Sequence, residues 1–555
     1  MESLEATLDH IPRPLKFGTS GRRGDVLDLT QLEIYVNVRA ELEYLTNLRL
    51  ENGGIIRRQK FYIAHDLRPS STRFVAEQGG RGEIAQAVER AVADAGFVPI
   101  NLGAIPTPAL TAYAISLRCG SIMVTGSHIP FERNGYKTNS STGELTKEDE
   151  APITRLVEKW REGMLTMPCG DSPFRADGSL KGGARLCGKV DDAGSRAYLS
   201  RFLEFFAPGC LTGLSILVFQ HSAVGRQLLV EVLERLGAVV RPVGLSETFI
   251  PIDTEAIDVE ILDRIRLLAQ TASSTGARFD AVVSTDGDSD RPLVVGIDYA
   301  EDGSCACHFF PGDLVGILTA KYLDADTIVV PVSVNDAIDR DELGSRLAPK
   351  TRIGSPYVIA GMEAACAKGS SRVCGWEANG GFLTATDFDV EGRVLTALPT
   401  RDAFLPIIVV LSQMSARKVS MATLFDELPL RFSSAALLKN FPRTASLKIV
   451  EALTPKDGGM KDSVLRDRIH EYFTHADGFG NMMRIDCTDG VRIFFSNGDV
   501  AHIRPSGNAD ELRIYAVADS RERALAIASA AVAEPDGILR KLARNFGLLG
   551  PDGQC

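Results

Sequence analysis

No C-x-x-C pair occurs among the ten cysteines of this 555-residue chain, which leaves no thioredoxin-type redox motif and no paired-cysteine zinc ribbon. Cys305-Ala306-Cys307-His308 is the one tight cluster. No second ligand pair follows it at zinc-finger spacing, so reduced thiols are expected there. No uninterrupted apolar run approaches the ~20 residues of a spanning helix, and no membrane partner is expected. The start, Met1-Glu2-Ser3-Leu4-Glu5, has neither a basic stretch nor an apolar one. A secretory signal is therefore not expected, and the protein reads as cytoplasmic. Without secretion the Asn139-Ser140-Ser141 sequon has no consequence. There is no G-x-x-x-x-G-K-[ST], and no G-x-G-x-x-G opens a helix after a strand, so nucleoside triphosphate and dinucleotide chemistry are not expected. Positive charge is not in excess either: 61 Lys+Arg stand against 72 Asp+Glu, a net −11. Nucleic acid and anionic membranes would be repelled. Any anionic ligand must be held by a local cluster of basic groups.

What is present is an ordinary globular composition, 45% apolar and 24% charged. At ~150 residues per domain the length gives roughly four domains. Strand and helix patterns alternate. Residues 61–64 read as a strand, 71–95 as a helix closed by Gly96, and 98–102 as a strand. Residues 214–219, 227–236 and 239–240 repeat the strand–helix–strand order. Residues 281–283 form a short apolar strand, and 327–331 begin a third round. This alternation predicts α/β units with parallel or mixed sheets. The last ~120 residues differ: short strands at 482–486, 490–495, 502–503 and 512–517 precede a helix at 521–533, an α+β pattern. Boundaries are expected in the Gly/Asp-rich stretches near 170–188 and 298–303 and near 425–431. The resulting division is 1–190, 191–303, 304–430 and 431–555.

Five motifs carry chemistry. In Ser284-Thr285-Asp286-Gly287-Asp288-Ser289-Asp290-Arg291-Pro292 three carboxylates alternate over five residues after an apolar strand. Like charges at that density call for a cation, and hard oxygen ligands favour Mg²⁺ or Ca²⁺ over zinc. Arg291 and Ile297 stand where an EF-hand needs Gly and Glu. Thr125-Gly126-Ser127-His128-Ile129-Pro130, with Asn134-Gly135-Tyr136-Lys137 after it, places Ser127 on a loop at a strand end. His128 or Lys137 is close enough in sequence to assist a serine nucleophile, although for this motif taken alone a plain ST-turn is the better reading. Phe17-Gly18-Thr19-Ser20-Gly21-Arg22-Arg23-Gly24 offers close backbone approach and two guanidinium groups. Arg504-Pro505-Ser506-Gly507-Asn508, with Arg513 on the next strand, has the makings of a phosphate nest. Gly375-Trp376-Glu377-Ala378-Asn379-Gly380-Gly381 presents a carboxylate and an amide, groups suited to sugar hydroxyls.

In this order, and spanning residues 17–515, the motifs resemble the α-D-phosphohexomutase superfamily, in particular bacterial phosphomannomutases and phosphoglucomutases. The resemblance implies four domains around a central cleft, three related α/β units and a C-terminal α+β domain. It implies a phosphoserine at Ser127 that phosphorylates a hexose phosphate, a hexose 1,6-bisphosphate intermediate that also serves as activator, and return of the other phosphate to Ser127. Asp286, Asp288 and Asp290 would bind Mg²⁺ with the serine phosphate. Arg23, Lys137, Arg291 and His128 would serve the reacting centre. Glu377 and Asn379 would read the sugar. Arg504, Ser506, Gly507, Asn508 and Arg513 would clamp the other phosphate. The EANGG and GNA forms of two loops lean towards mannose phosphate, with glucose or glucosamine phosphate next. No obligatory protein partner is implied.

Three positions depart from the family pattern: Ile129 where Asn is usual, Gly381 where several relatives have His, and Gly354-Ser355-Pro356-Tyr357 in place of a loop that often carries Lys or His. The general acid/base is left unassigned by these losses. Two other readings stand beside the mutase. One is a metal-dependent phosphatase with Asp286 as nucleophile, although Asp290 sits where that signature has Thr. The other is an inactive sugar-phosphate-binding descendant.

Overall fold

The computed structural model describes residues 2–18, 20–182, 188–255, 257–274, 276–301, 304–455, 463–506 and 510–548. Among the described residues, three mixed sheets and one large antiparallel sheet, with two small two-stranded ones, make up the architecture. The first sheet runs in the order Arg22–Asp25, Arg133–Asn139, Ser121–Val124, Lys60–His65, Val98–Ala104. Its last three strands are parallel, and the other two are joined antiparallel. The second, Cys305–Phe310, Pro292–Tyr299, Ala281–Thr285, Ser215–His221, Val239–Leu245, is built the same way. The third pairs Thr327–Val329 parallel with Val373–Trp376, then adds Phe382–Thr384 and Leu398–Asp402 antiparallel.

One construction recurs in all three. A buried parallel strand ends in a motif loop, and the chain returns as its antiparallel neighbour. Ser121–Val124 leads through the Ser127 loop to Arg133–Asn139. Ala281–Thr285 leads through the aspartate loop to Pro292–Tyr299. Val373–Trp376 leads through the Glu377 loop to Phe382–Thr384. Loops at the carboxyl ends of parallel strands are where α/β sheets place their ligands.

The expected helix over 71–95 is shorter. Pro69–Thr72 is a single turn, Phe74–Val75 and Arg81–Gly82 form a small hairpin, and the helix covers Ile84–Asp94 alone. Gly79 and Gly80 take left-handed backbone at φ +63° and +66°, which ends any helix there. The second sheet also extends past the expected boundary at 303, because Cys305–Phe310 pairs along Pro292–Tyr299. Within that strand His308 lies 3.4 Å from Asp298. Among the described residues, only Asp286, Asp288 and Asp290 group closely enough to hold a metal.

The fourth sheet is antiparallel, in the order Phe432–Lys439, Glu511–Ala518, Val500–Pro505, Val491–Phe495, Met482–Asp486, and is covered by helices that include Arg443–Leu453 and Arg521–Val532. One apolar core runs through parts of all three α/β units, whereas this sheet has its own. The fully buried Arg431 fastens the two bodies: it donates to both oxygens of Asp336 at 2.7 and 2.8 Å and to Asp519 at 2.7 Å. Among the described residues, no helix is long and apolar enough to cross a membrane.

Candidate active site

Ser127 sits at the end of the strand Ser121–Val124, fully buried, with left-handed backbone at φ +54°. A serine rarely adopts that conformation unless its surroundings impose it. Here the imposing group is Arg68, which is also buried. It donates to the carbonyls of Pro130 (2.8 Å), Arg133 (2.9 Å) and Ser127 (3.1 Å), and to that of Ile129. Asp66 holds the loop's other side by accepting from Thr125 Oγ1 at 2.8 Å, and Thr125 Oγ1 in turn accepts from Ser127 N at 2.7 Å.

The Ser127 hydroxyl donates to Asp286 Oδ2 at 2.6 Å, which brings the first and second motif loops together. Asp286 Oδ1 accepts from the backbone N–H groups of Asp290 and Arg291 at 3.1 and 3.2 Å. Asp288 Oδ2 accepts from Thr107 Oγ1 (2.7 Å) and Lys137 Nζ (2.9 Å). Asp290 Oδ2 accepts from Lys137 Nζ (2.8 Å) and from Arg401 Nε and Nη2 (3.0 and 2.7 Å). The three carboxylates lie within 4.8 Å of one another and are buried. Asp288 Oδ1 and Asp290 Oδ1 are shielded from water and accept no hydrogen bond. Such orphaned acceptors in an all-oxygen donor set fit a hard divalent cation.

Burial, together with Asp288 and Asp290, pushes the Asp286 carboxyl well above the usual carboxylate range. Burial acts on Asp290 in the same direction, but Arg401, Lys137 and Arg291 outweigh it and hold that group well below the range. Burial also opposes the Lys137 ammonium, which Asp288 and Asp290 nevertheless keep charged. Arg23 faces Arg291, Asp288, Arg401 and Asp290; burial and the two like charges lower its guanidinium to about 10. The His128 imidazole, with Nδ1 3.3 Å from Ser127 Oγ, is pushed well below its ordinary value by burial, Arg291 and Arg23. It is uncharged at neutral pH. Arg291 places Nη1 3.5 Å from Asp253.

Around the third loop, Glu377 accepts from Arg401 Nη1 at 2.9 Å, and Asn379 closes the turn by accepting from Gly381 N at 3.0 Å. On the C-terminal sheet Arg504 and Arg513 are direct cross-strand partners. Arg504 lies 3.1 Å from Asp489, and Arg513 donates to Glu511 at 2.9 Å. The buried Ser506 follows on the same rim, its N–H bonded to Glu511 O at 2.9 Å. Gly507, Asn508 and Thr19 lie outside the described residues.

The matches to known proteins cover the first and third α/β units and the C-terminal one. The phosphoglucomutase/phosphomannomutase α/β/α domain I matches residues 14–164, domain III residues 311–432, and the C-terminal domain residues 448–534. The phosphomannomutase of Sinorhizobium fredii (strain NBRC 101917 / NGR234) is 36% identical over 92% of this chain and 96% of its own. The chain belongs to the phosphoglucomutase/phosphomannomutase family. The phosphomannomutase of Salmonella muenchen is 34% identical over 94% of this chain and 96% of its own. In fold, a phosphoglucomutase/phosphomannomutase family protein from Burkholderia thailandensis superposes with a TM-score of 0.60 at 17% identity, covering 94% of this chain and 98% of that one.

Two features of this family member escaped the sequence reading. Arg22 does not join Arg23 in the cleft: it is buried on the other side of its strand, bonded to Glu41 at 2.6 Å and stacked on Phe17. Successive strand residues face opposite ways, so only one of an Arg-Arg pair can point inward. The second feature is Arg401, which occupies the space opened at Gly381. A Cβ on Gly381 would lie 2.5 Å from Arg401 Cδ. Arg401 Nη1 also reaches Ser355 Oγ at 3.2 Å, inside the loop that departs from the family pattern. Ser355 Oγ in turn donates to Glu144, which also accepts from Thr400. Arg401 thus stands between the two loops that depart from the family pattern, with Cδ beside Gly381 and Nη1 on Ser355.

Proposed function

We propose that this protein is a phosphohexomutase that interconverts hexose 6-phosphate and hexose 1-phosphate, with mannose phosphate preferred, and that Ser127 carries the phosphoryl group. One observation carries the reading: a fully buried serine, held in strained backbone, hydrogen-bonded at 2.6 Å to the first of three clustered aspartates. Family membership and two relatives bearing the name phosphomannomutase support it.

Asp286, Asp288 and Asp290, with a serine phosphate oxygen, would hold Mg²⁺. Bound there, the cation supplies neutralisation of the charge on the transferring group. Arg23, Arg291 and Lys137 add positive charge around the same point, where a water-poor site makes it count. His128, uncharged beside Ser127 Oγ, shields the serine without competing for the anion. Glu377 accepts from a sugar hydroxyl with Asn379 beside it. Arg504, Ser506, Gly507, Asn508 and Arg513 take the phosphate that is not reacting, so that its binding energy positions the hydroxyl that is. Transfer from Ser127 gives the hexose 1,6-bisphosphate. Turned end for end, the bisphosphate returns its other phosphoryl group to Ser127.

Aspartyl phosphatase chemistry at Asp286 fits less well. Both of its oxygens are already committed, one to Ser127 and one to two backbone N–H groups. The test is Ser127→Ala with peptide mass spectrometry of the wild-type protein. Phosphate on Ser127, and loss of mutase turnover in the variant at unchanged melting temperature, are expected. Wild-type turnover by the variant on every hexose phosphate would overturn the reading.

A further inference from the structure

The chain between the strand Val239–Leu245 and the helix Val259–Ser273 has no part in the function proposed above, yet it reaches the same cleft. Phe249 lies under the Arg68 guanidinium, 3.9 Å from ring centre to Cζ. Ile250 N donates to Ser222 Oγ at 2.7 Å, and Ile252 is buried. Asp253 faces Arg291 at 3.5 Å and His128 Nε2 at 4.0 Å. Thr254 Oγ1 donates to the carbonyl of Asn379 at 2.8 Å, which ties the segment to the Glu377 loop. Glu255 follows, its N–H turned back onto Asp253 Oδ1 at 3.1 Å. The segment is thus anchored to the Ser127 loop on one side and to the Glu377 loop on the other.

Glu255 Oε1 is shielded from water and has no hydrogen-bond partner. The charged and titratable groups facing this carboxyl come from four elements: Asp253 on its own loop, Arg291 after the aspartate loop, Glu377 in the third loop, and Arg504, Arg513 and Tyr515 on the C-terminal sheet. Arg504 and Arg513 already have the carboxylates of Asp489 and Glu511. A shielded acceptor with no donor is costly unless a ligand completes it.

We propose that Glu255 is a substrate-contacting residue, its unpartnered carboxyl group bonding the hexose on the side of the cleft shared with Glu377, Arg504 and Arg513. The proposal rests on the hexose phosphate reading above. Its surroundings also set its charge. Burial and the neighbouring Asp253 push the carboxyl up to about 7, against the opposing pull of Arg291. In its neutral form Glu255 donates a hydrogen bond and adds no negative charge beside a phosphate; ionised, it repels that phosphate. The contact therefore weakens as pH rises through about 7.

The test uses the full-length protein with Glu255→Gln and Glu255→Ala, mannose 1-phosphate and glucose 1-phosphate, turnover with hexose 1,6-bisphosphate present, and binding by calorimetry. Glu255→Ala is expected to lower kcat/KM by about 10- to 100-fold, chiefly through KM, with an unchanged melting temperature. Glu255→Gln imitates the neutral acid, so its kcat/KM relative to wild type should climb between pH 6 and 8. Taking that ratio cancels the titration of the substrate phosphate. Alanine-variant binding within twofold of wild type for both sugars, or a flat ratio across that pH range, overturns the proposal. Wild-type protein that binds but never turns over would sink the mutase reading, while weaker binding by Glu255→Ala would still uphold the contact. Wild-type protein that binds neither sugar would sink both.

Discussion

Arg401 and Asp290 are joined by two hydrogen bonds onto one oxygen: Nε and Nη2 of the arginine both donate to Asp290 Oδ2, at 3.0 and 2.7 Å. The third guanidinium nitrogen, Nη1, donates to Glu377 at 2.9 Å. One side chain thus spans the aspartate loop and the proposed sugar loop, and all three residues are buried. Burial opposes the guanidinium charge, but Asp290, Glu377 and Glu144 hold it well above its ordinary value.

Removing Arg401 strands the buried Glu377 carboxylate and leaves Asp290 with the Lys137 ammonium alone as side-chain donor. Arg401→Met should cost about 3–5 kcal/mol in chemical denaturation, the range for breaking a buried pair by deleting one partner. Arg401→Lys supplies a point charge without the fork. It should recover part of that stability while kcat/KM stays at least tenfold down, because one ammonium cannot set both loops. Equal activity in the lysine variant would show that charge alone suffices.

The family resemblance implies a His at the place of Gly381 in several members, and introducing it here should do harm. The new Cβ would lie 2.5 Å from Arg401 Cδ and 2.9 Å from its Cβ. Overpacking of this kind costs about 1–3 kcal/mol. Gly381→His is expected to lower both melting temperature and kcat/KM, and in the Gly381→His/Arg401→Ala double variant the stability loss should be smaller than the sum of the two single losses. Additive losses in the double variant would show that the two sites do not compete for space.

The aspartate cluster should make stability depend on Mg²⁺. A ligand present at a hundred times its Kd raises stability by about 2.7 kcal/mol. Thermal melts with EDTA and with Mg²⁺ should separate for the wild-type protein, and Asp288→Asn should bring the two curves together. Separate curves in the variant would place the cation elsewhere.

Much of this was legible because each motif loop follows an apolar strand, so strand–loop–strand units could be read directly from residues such as 122–127 and 281–290. What was illegible falls into two kinds. Gly79-Gly80 interrupts a stretch whose apolar spacing is helical, and there local backbone preference overrides periodicity. Arg68, Arg401 and Glu255 belong to no motif; each acts through partners far away in sequence. A faint signal existed for Arg401. Thr400-Arg401-Asp402 closes the strand Leu398–Asp402 just before the apolar helix Phe404–Arg417, a place where charge is tolerated only when paired.

Two buried histidines should set the acid limit of the fold. His221 bonds the carbonyl of Thr285, at the root of the aspartate loop, at 2.9 Å. His502 bonds the carbonyl of Asp489, the partner of Arg504, at 2.6 Å. Burial lowers each imidazole to about 4, with Arg226 adding to the effect at His221 and Arg492 at His502. In the unfolded chain both titrate near 6.5. Between those values the unfolded state binds more protons than the folded one, so stability is undiminished above about 6.5 and falls as pH drops towards 4. Each group contributes about 3 kcal/mol to that loss, at 1.36 kcal/mol per pH unit. Denaturation midpoints measured from pH 7.5 to 4.5 should show the decline. His221→Gln, destabilised at neutral pH, should show a shallower slope because one of the buried imidazoles, which include His128 as well, is gone. An unchanged slope would mean that folding does not shift the His221 imidazole from its ordinary value.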